Sequence, residues 1–404
     1  MTELGTIGVE SAPPHRLPPR GRLAVGVLAL GTFTAVTSEM LPVGLLTPMA
    51  GALRISEGLT GLALAITGLL AVTAPLLMSV LGRVDRRRLL PALMLVVAVG
   101  NLLCAVAPNF AVLVLGRVLV GAGMGGVWAI SGSLAVRLVP PRAVGPATSV
   151  IFSGIAIASV LGVPAGTYLG SVAGWRSAFA AAAVLAVSVA VALAAILPAL
   201  PPERGVSVAE LPRLLSNPAL RTAMIVVALL VGGHFAAYTY IRPVLEEQSG
   251  ASASTVSALL LGYGIAGVAG TFTLGMIASR APRRAVLVIC AGLAASVALL
   301  ALAGSSLIAA VLLLVLWGVS YGGVSVSTQT WTLAAAPGAR EAASAMLVAV
   351  FNAAIALGAL LGGRAVDGLG FTAALWLGAV LVVAAAVAAL AGSAPRSASL
   401  PEVK

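Results

Sequence analysis

Glu39 lies deep in a long apolar run, within Thr37-Ser38-Glu39-Met40-Leu41-Pro42-Val43-Gly44. A charged side chain at the centre of a bilayer costs about 2.5–3.5 kcal/mol on insertion scales, so such residues are rare and face a bundle interior or a water-filled path. A carboxylate placed there can take up and release a proton, and Glu39 is read as a proton carrier. Arg117, in Leu115-Gly116-Arg117-Val118-Leu119-Val120-Gly121-Ala122-Gly123, is a second charge inside an apolar run. His234, followed at helical spacing by Tyr238 and Arg242, is a third titratable group in apolar surroundings. Glu39 and His234 are the titratable candidates for proton coupling, and Arg117 is a buried charge that needs a partner or water. Each also has a plainer reading: Glu39 as an interfacial carboxylate, Arg117 as an arginine that snorkels to the interface, and His234 as a hydrogen-bonded helix contact.

Around them stand polar and aromatic positions that suit a substrate cavity. Thr32 shares a helical stripe with Glu39, and Met124, Trp128 and Ser131 continue the face that begins at Arg117. Tyr238 and Arg242 come from a seventh apolar run, and Tyr321, Ser325 and Gln329 from a tenth. An apolar pocket with few polar anchors fits an amphipathic ligand. Taken singly, each aromatic also fits ordinary core.

The elements that must position these residues are membrane helices. The 404-residue chain is 60% hydrophobic and 9% charged, against about 25% charged for a soluble domain, so lipid is its expected solvent. At roughly 20 apolar residues per crossing, twelve spans are expected, at 23–50, 58–82, 89–107, 110–137, 145–171, 176–198, 219–245, 254–279, 284–304, 307–335, 341–366 and 371–392. The fold class is therefore an all-α polytopic membrane protein. Its parts are a tail (1–22), a six-helix half (23–198), a linker (199–218) with Pro201, Pro202 and Pro212, a second six-helix half (219–392) and a tail (393–404). Arginines crowd the loops on the side of the termini, which places both termini in the cytoplasm. The net charge of +11 is scattered among these loops, which speaks against a nucleic-acid partner. Cys104 and Cys290 sit in apolar runs without metal-ligand spacing, so no disulfide and no metal are expected. No nucleophile–base pair and no phosphate loop is present, so the chain reads as no enzyme, with no cofactor and a proton gradient as its energy source. A non-transporting membrane sensor is the reading from another class; the short tails leave little room for a signalling domain.

The halves repeat. Ala147 to Gly174 aligns without gaps on Ala343 to Gly370, bringing Gly162 onto Gly358 and Gly166 onto Gly362. Two parallel halves of this kind are used by rocking transporters whose substrate site lies near the midplane between them.

The loop Gly82-Arg83-Val84-Asp85-Arg86-Arg87-Arg88 resembles the signature of the major facilitator superfamily, Gly-x-x-x-Asp-Arg-x-Gly-Arg-Arg between spans two and three. Asp85 and Arg86 fit, the first glycine is displaced and the second is missing. The second half keeps Arg280, Arg283 and Arg284 but has Ser279 for the acid. The resemblance implies a gating role for these two loops. Arg117, Gly121 and Gly123 resemble the family motif Arg-x-x-Gln-Gly-x-Gly, with Val120 for the glutamine, and the family links that arginine to proton movement. Gly154, Gly162, Pro164 and Gly166 are similar to its antiporter motif, which serves helix packing. The stretch around Glu39 looks like the first span of the drug:proton antiporter branch, which includes chloramphenicol-resistance, sugar-efflux and purine-efflux proteins. The resemblance thus implies a monomeric, multi-pass protein of the bacterial inner membrane. It would export small amphipathic compounds against protons, with a sugar or metabolite exporter of the same fold as the alternative.

Overall fold

A computed structural model describes residues 19–73, 84–201 and 214–392, and within them the chain is helical with no strand. Helices α1 (Pro19–Leu53), α2 (Glu57–Val72), α3 (Arg86–Val106) and α4 (Phe110–Leu138) are followed by α5 (Val144–Ala173) and α6 (Trp175–Ile196). Helix α7 (Pro218–Tyr238) runs into a short helix, Ile241–Ser249. Then come α8 (Ala253–Arg280), α9 (Pro282–Ala303), α10 (Leu307–Ala335), α11 (Arg340–Leu369) and α12 (Phe371–Ala391). Among the described residues eleven helices are long and apolar enough to cross a membrane. The expected second span, 58–82, is the one not counted, because its described part is the 16-residue α2. Gly82, Arg83, most of the linker 199–218 and the tail 393–404 lie outside the described residues, as does nearly all of the tail 1–22.

The turns opposite the chain termini are punctuated by capping side chains. Ser56, Asn109, Ser252 and Ser306 each accept a backbone N–H from the first turn of the helix they precede, which is worth about 1 kcal/mol apiece. Gly174 (φ 83°) and Gly370 (φ 87°) end α5 and α11 in a conformation that side chains resist, and they are equivalent positions of the sequence repeat.

Helices in lipid associate through close packing rather than hydrophobic burial, so small residues mark where they touch. Helix α5 lies on α1 through such a row. A Cβ on Gly154 would stand 2.2 Å from the Ala29 carbonyl oxygen, and one on Gly166 would stand 2.2 Å from a methyl of Leu41. A π-helical turn, Ala158–Gly162, precedes Pro164; this wider turn accommodates a residue that has no N–H to give. The second half repeats the arrangement. A Cβ on Gly358 would meet the Gly232 carbonyl oxygen at 2.3 Å and one on Gly362 the Ala236 oxygen at 2.2 Å, bringing α11 onto α7. The expected equivalence of Gly162 with Gly358 and Gly166 with Gly362 is thus also an equivalence of packing. Contacts between the halves follow the same pairing: α2 packs on α11, and α5 on α8.

Candidate functional site

Helix α1 carries Pro42 and Pro48 in its interior. A proline leaves the carbonyl four residues earlier without its helical partner; here those carbonyls belong to Ser38 and Gly44. Both are taken by arginines. Arg117, wholly buried in α4, donates through Nη1 to the Ser38 oxygen at 2.7 Å, through Nη2 to the Glu39 oxygen at 2.7 Å and through Nε to the Ala63 oxygen of α2 at 2.8 Å. The planar fork of guanidinium suits this simultaneous capture. Snorkelling is excluded, because the side chain turns into the bundle. Gly121 permits the approach: a Cβ there would stand 2.6 Å from the Thr67 carbonyl oxygen of α2.

Glu39 is buried beside this arginine, at 4% exposure. It forms no ion pair with Arg117, which binds its backbone instead, and its Oε1 has no hydrogen-bond partner. The interfacial reading of Glu39 is therefore set aside. Asn101 of α3, which the sequence reading passed over, donates to Ser38 Oγ at 2.9 Å. The result is an enclosed polar knot of Ser38, Asn101, Arg117 and Glu39, tying α1, α2, α3 and α4 together.

Across the bundle, aromatic rings converge in the second half. Tyr321 stacks on His234 at 3.5 Å between centroids, His234 on Tyr238 at 4.9 Å and Tyr238 on Tyr263 at 4.8 Å. Trp317 stands edge-on to His234 and donates its indole N–H to Nδ1 at 2.9 Å. The proton of a neutral imidazole then sits on Nε2, which is buried without a partner. Trp317 and Tyr263 come from other helices than His234; Trp317 stands one turn before Tyr321, a spacing the sequence reading passed over, while no spacing points to Tyr263.

Several residues expected at a cavity have other duties. Thr32 is buried and donates to the Ile151 carbonyl oxygen at 2.6 Å, stitching α1 to α5. Ser131 is buried and donates to the Val127 oxygen of its own helix. Met124 is buried with Ala35 and Ala71, and Trp128 packs at their edge and edge-on to Phe152. Ser325 is exposed, and Gln329 donates to Ser344 Oγ at 2.6 Å, joining α10 to α11. Small polar side chains in membrane helices serve helix contacts as readily as ligands.

Arg242 is buried and hydrogen-bonded. It pairs with Glu246 at 2.8 Å and donates to the Gly44 oxygen that Pro48 leaves free, joining the two halves. Tyr240 donates from its hydroxyl to the Gly58 oxygen at 3.5 Å and the Ala359 oxygen at 2.7 Å. Asp367 accepts from the Ser56 hydroxyl at 2.8 Å and the Gly58 N–H at 3.0 Å. Asp367 therefore reaches across to the start of α2. These hydrogen bonds of Arg242, Tyr240 and Asp367 join the halves at the end opposite the chain termini.

The basic loops at the other end are tied within their own halves. Asp85 accepts the N–H groups of Arg87 at 2.8 Å and Leu200 at 3.0 Å, and these hold its carboxyl below the usual carboxylate range. The backbone N–H of Arg86 donates to the Leu200 oxygen at 3.0 Å. Arg283 donates to the Leu390 oxygen of α12, and Arg280 and Arg284 are exposed.

The model of the Major Facilitator Superfamily matches residues 28–252 and 224–404. The chain belongs to that superfamily. It is a multi-pass membrane transporter and not an enzyme. The purine ribonucleoside efflux pump NepI of Escherichia coli (strain K12) is 36% identical over 365 residues, covering 90% of this chain and 92% of the relative. The NepI of Shigella dysenteriae serotype 1 is 36% identical over 90% of this chain and 93% of the relative. Among solved structures, a bacterial homologue of the human lysosomal transporter Spinster, in an inward-facing and occupied conformation, superposes with a TM-score of 0.76 at 16% identity, covering 92% of this chain and 97% of that one. The nucleoside transporter NupG superposes with a TM-score of 0.75 at 14% identity, over 92% of this chain and 99% of that one. These structures share the superfamily fold with the transporter described here.

Proposed function

We propose that this transporter exports small amphipathic compounds in exchange for protons, with purine ribonucleosides the first substrate class to test. The observation that carries the proton half is Glu39, a carboxylate buried at 4% exposure with one oxygen unpartnered, beside Arg117. The substrate half rests on the 36% identity to purine ribonucleoside efflux pumps over 90% of the chain, which favours a metabolite over the drug-like ligands first expected. In this scheme Arg117 holds α1 by its backbone, so that uptake or loss of a proton at Glu39 acts on a fixed helix. Basic loops lie at the end that carries the chain termini, and in this reading that end faces the cytoplasm of a bacterial inner membrane. One elementary charge moved through 100 mV yields about 2.3 kcal/mol, which supports an export gradient of some tens-fold per proton.

The test is uptake into inverted vesicles under an imposed pH gradient. A purine ribonucleoside should accumulate with wild type and not with Glu39→Gln. Equal flux in that variant would remove Glu39 from the mechanism.

A further inference from the structure

Four rings in α7, α8 and α10 form a continuous face-to-face stack, Tyr263–Tyr238–His234–Tyr321, with interplanar angles of 27°, 20° and 12°. Its members differ in access. His234 is 1% exposed and Tyr238 and Tyr263 are each 6% exposed, whereas Tyr321 is half-buried. The tyrosine hydroxyls make no hydrogen bond to any described residue, and none of them is among the sealed polar atoms. The stack is held rigid from the side. Trp317, fully buried, fixes His234 through the bond to Nδ1, and Phe235 stands edge-on to Tyr321 at 6.2 Å. No further ring stacks on Tyr321, which lies at the end of the stack.

An aromatic ladder that ends on an accessible ring is a stacking surface. Packing alone does not require four parallel rings, since aromatic pairs in cores are satisfied equally by edge-on contacts. Flat heteroaromatic bases bind by stacking on such rings, whatever their sequence of donors and acceptors. We propose that Tyr321 is the stacking platform for the planar base of the transported nucleoside, and that His234, locked by Trp317, is the positioning residue that stiffens it from behind. This inference rests on the nucleoside reading above. It adds where the base sits and assigns the ring stack, rather than the polar knot, to recognition.

The experiment measures adenosine uptake into inverted vesicles under a pH gradient for wild type, Tyr321→Phe, Tyr321→Leu and Tyr321→Met, with ribose as the control lacking a base. Tyr321→Phe keeps the ring face and should leave KM within about two-fold. Tyr321→Leu and Tyr321→Met remove the ring face and should raise KM about ten-fold, with the rate at saturating adenosine little changed. Ribose should show no dependence on position 321. A Leu or Met variant that reaches the membrane and keeps the wild-type KM overturns the platform while leaving the nucleoside reading intact. A fall in kcat without a change in KM also overturns it, since that marks a structural role. Wild type that moves no adenosine or other purine ribonucleoside overturns the substrate reading and the platform with it.

Discussion

At the scale of single residues, the most informative pair is Pro42 with Arg117. The proline removes a donor and the arginine replaces it, so each is intelligible through the other. Arg117→Ala leaves the Ser38 carbonyl buried without a partner, which costs about 1–3 kcal/mol and should abolish pH-driven uptake while binding is largely kept. Pro42→Ala in the same background supplies an N–H from α1 itself. The double variant should regain part of the lost stability, measured by unfolding in detergent as a coupling of about 0.5 kcal/mol or more. Additive losses would show that the guanidinium does not serve that carbonyl. The sequence made Arg117 and Glu39 visible because charges in apolar runs are conspicuous. It could not name the arginine's partners, because they are backbone carbonyls and have no letter of their own. The single trace of them is the proline four residues on. Thr32 and Ser131 misled for the opposite reason: their hydroxyls look available on a helical stripe, yet carbonyls nearby already claim them.

At the scale of elements, the glycine row of α5 governs how closely α1 can lie. Gly154→Ala would force a Cβ to within 2.2 Å of the Ala29 oxygen, a backbone atom that has little freedom to move. Overpacking of that kind costs about 1–3 kcal/mol, and the thermal midpoint in detergent should fall accordingly. Gly26→Ala is the control: nothing lies within 4 Å of a Cβ there, and the gain in helix propensity, up to about 1 kcal/mol, should leave the midpoint unchanged or higher. The helices and the packing glycines were legible in the sequence, since hydropathy and small-residue spacing are local signals. The aromatic stack was legible only as far as His234 and Tyr238 on one helix and Tyr321 on another. Its fourth member, Tyr263, joins it through tertiary contacts that no local spacing records, whereas Trp317, which braces it, stands one turn before Tyr321.

For the whole molecule, the seam between the halves sets which side is open. Asp367 grips the start of α2, and a hydrogen bond to a charged group is worth about 1.5–3 kcal/mol. Asp367→Ala should therefore move the balance between the two access states about ten-fold or more toward opening at this end. Nitroxide labels at Ser171→Cys and Leu369→Cys, both on exposed positions at that end, should report a larger long-distance population. An unchanged distance distribution would leave Asp367 with a purely local role. Arg364 lies one turn from Asp367 along the chain, yet the fold brings residues 56 and 58 within reach of that carboxylate.

Gly44 has a particular standing in that seam. Once Arg242 withdraws, its oxygen cannot turn back to its own helix, because Pro48 has nothing to offer it. Solvent must fill the role as the halves part, so hydration becomes a reactant in opening this side of the protein. Drying agents that stay outside the protein would then hold the cycle in the form described here.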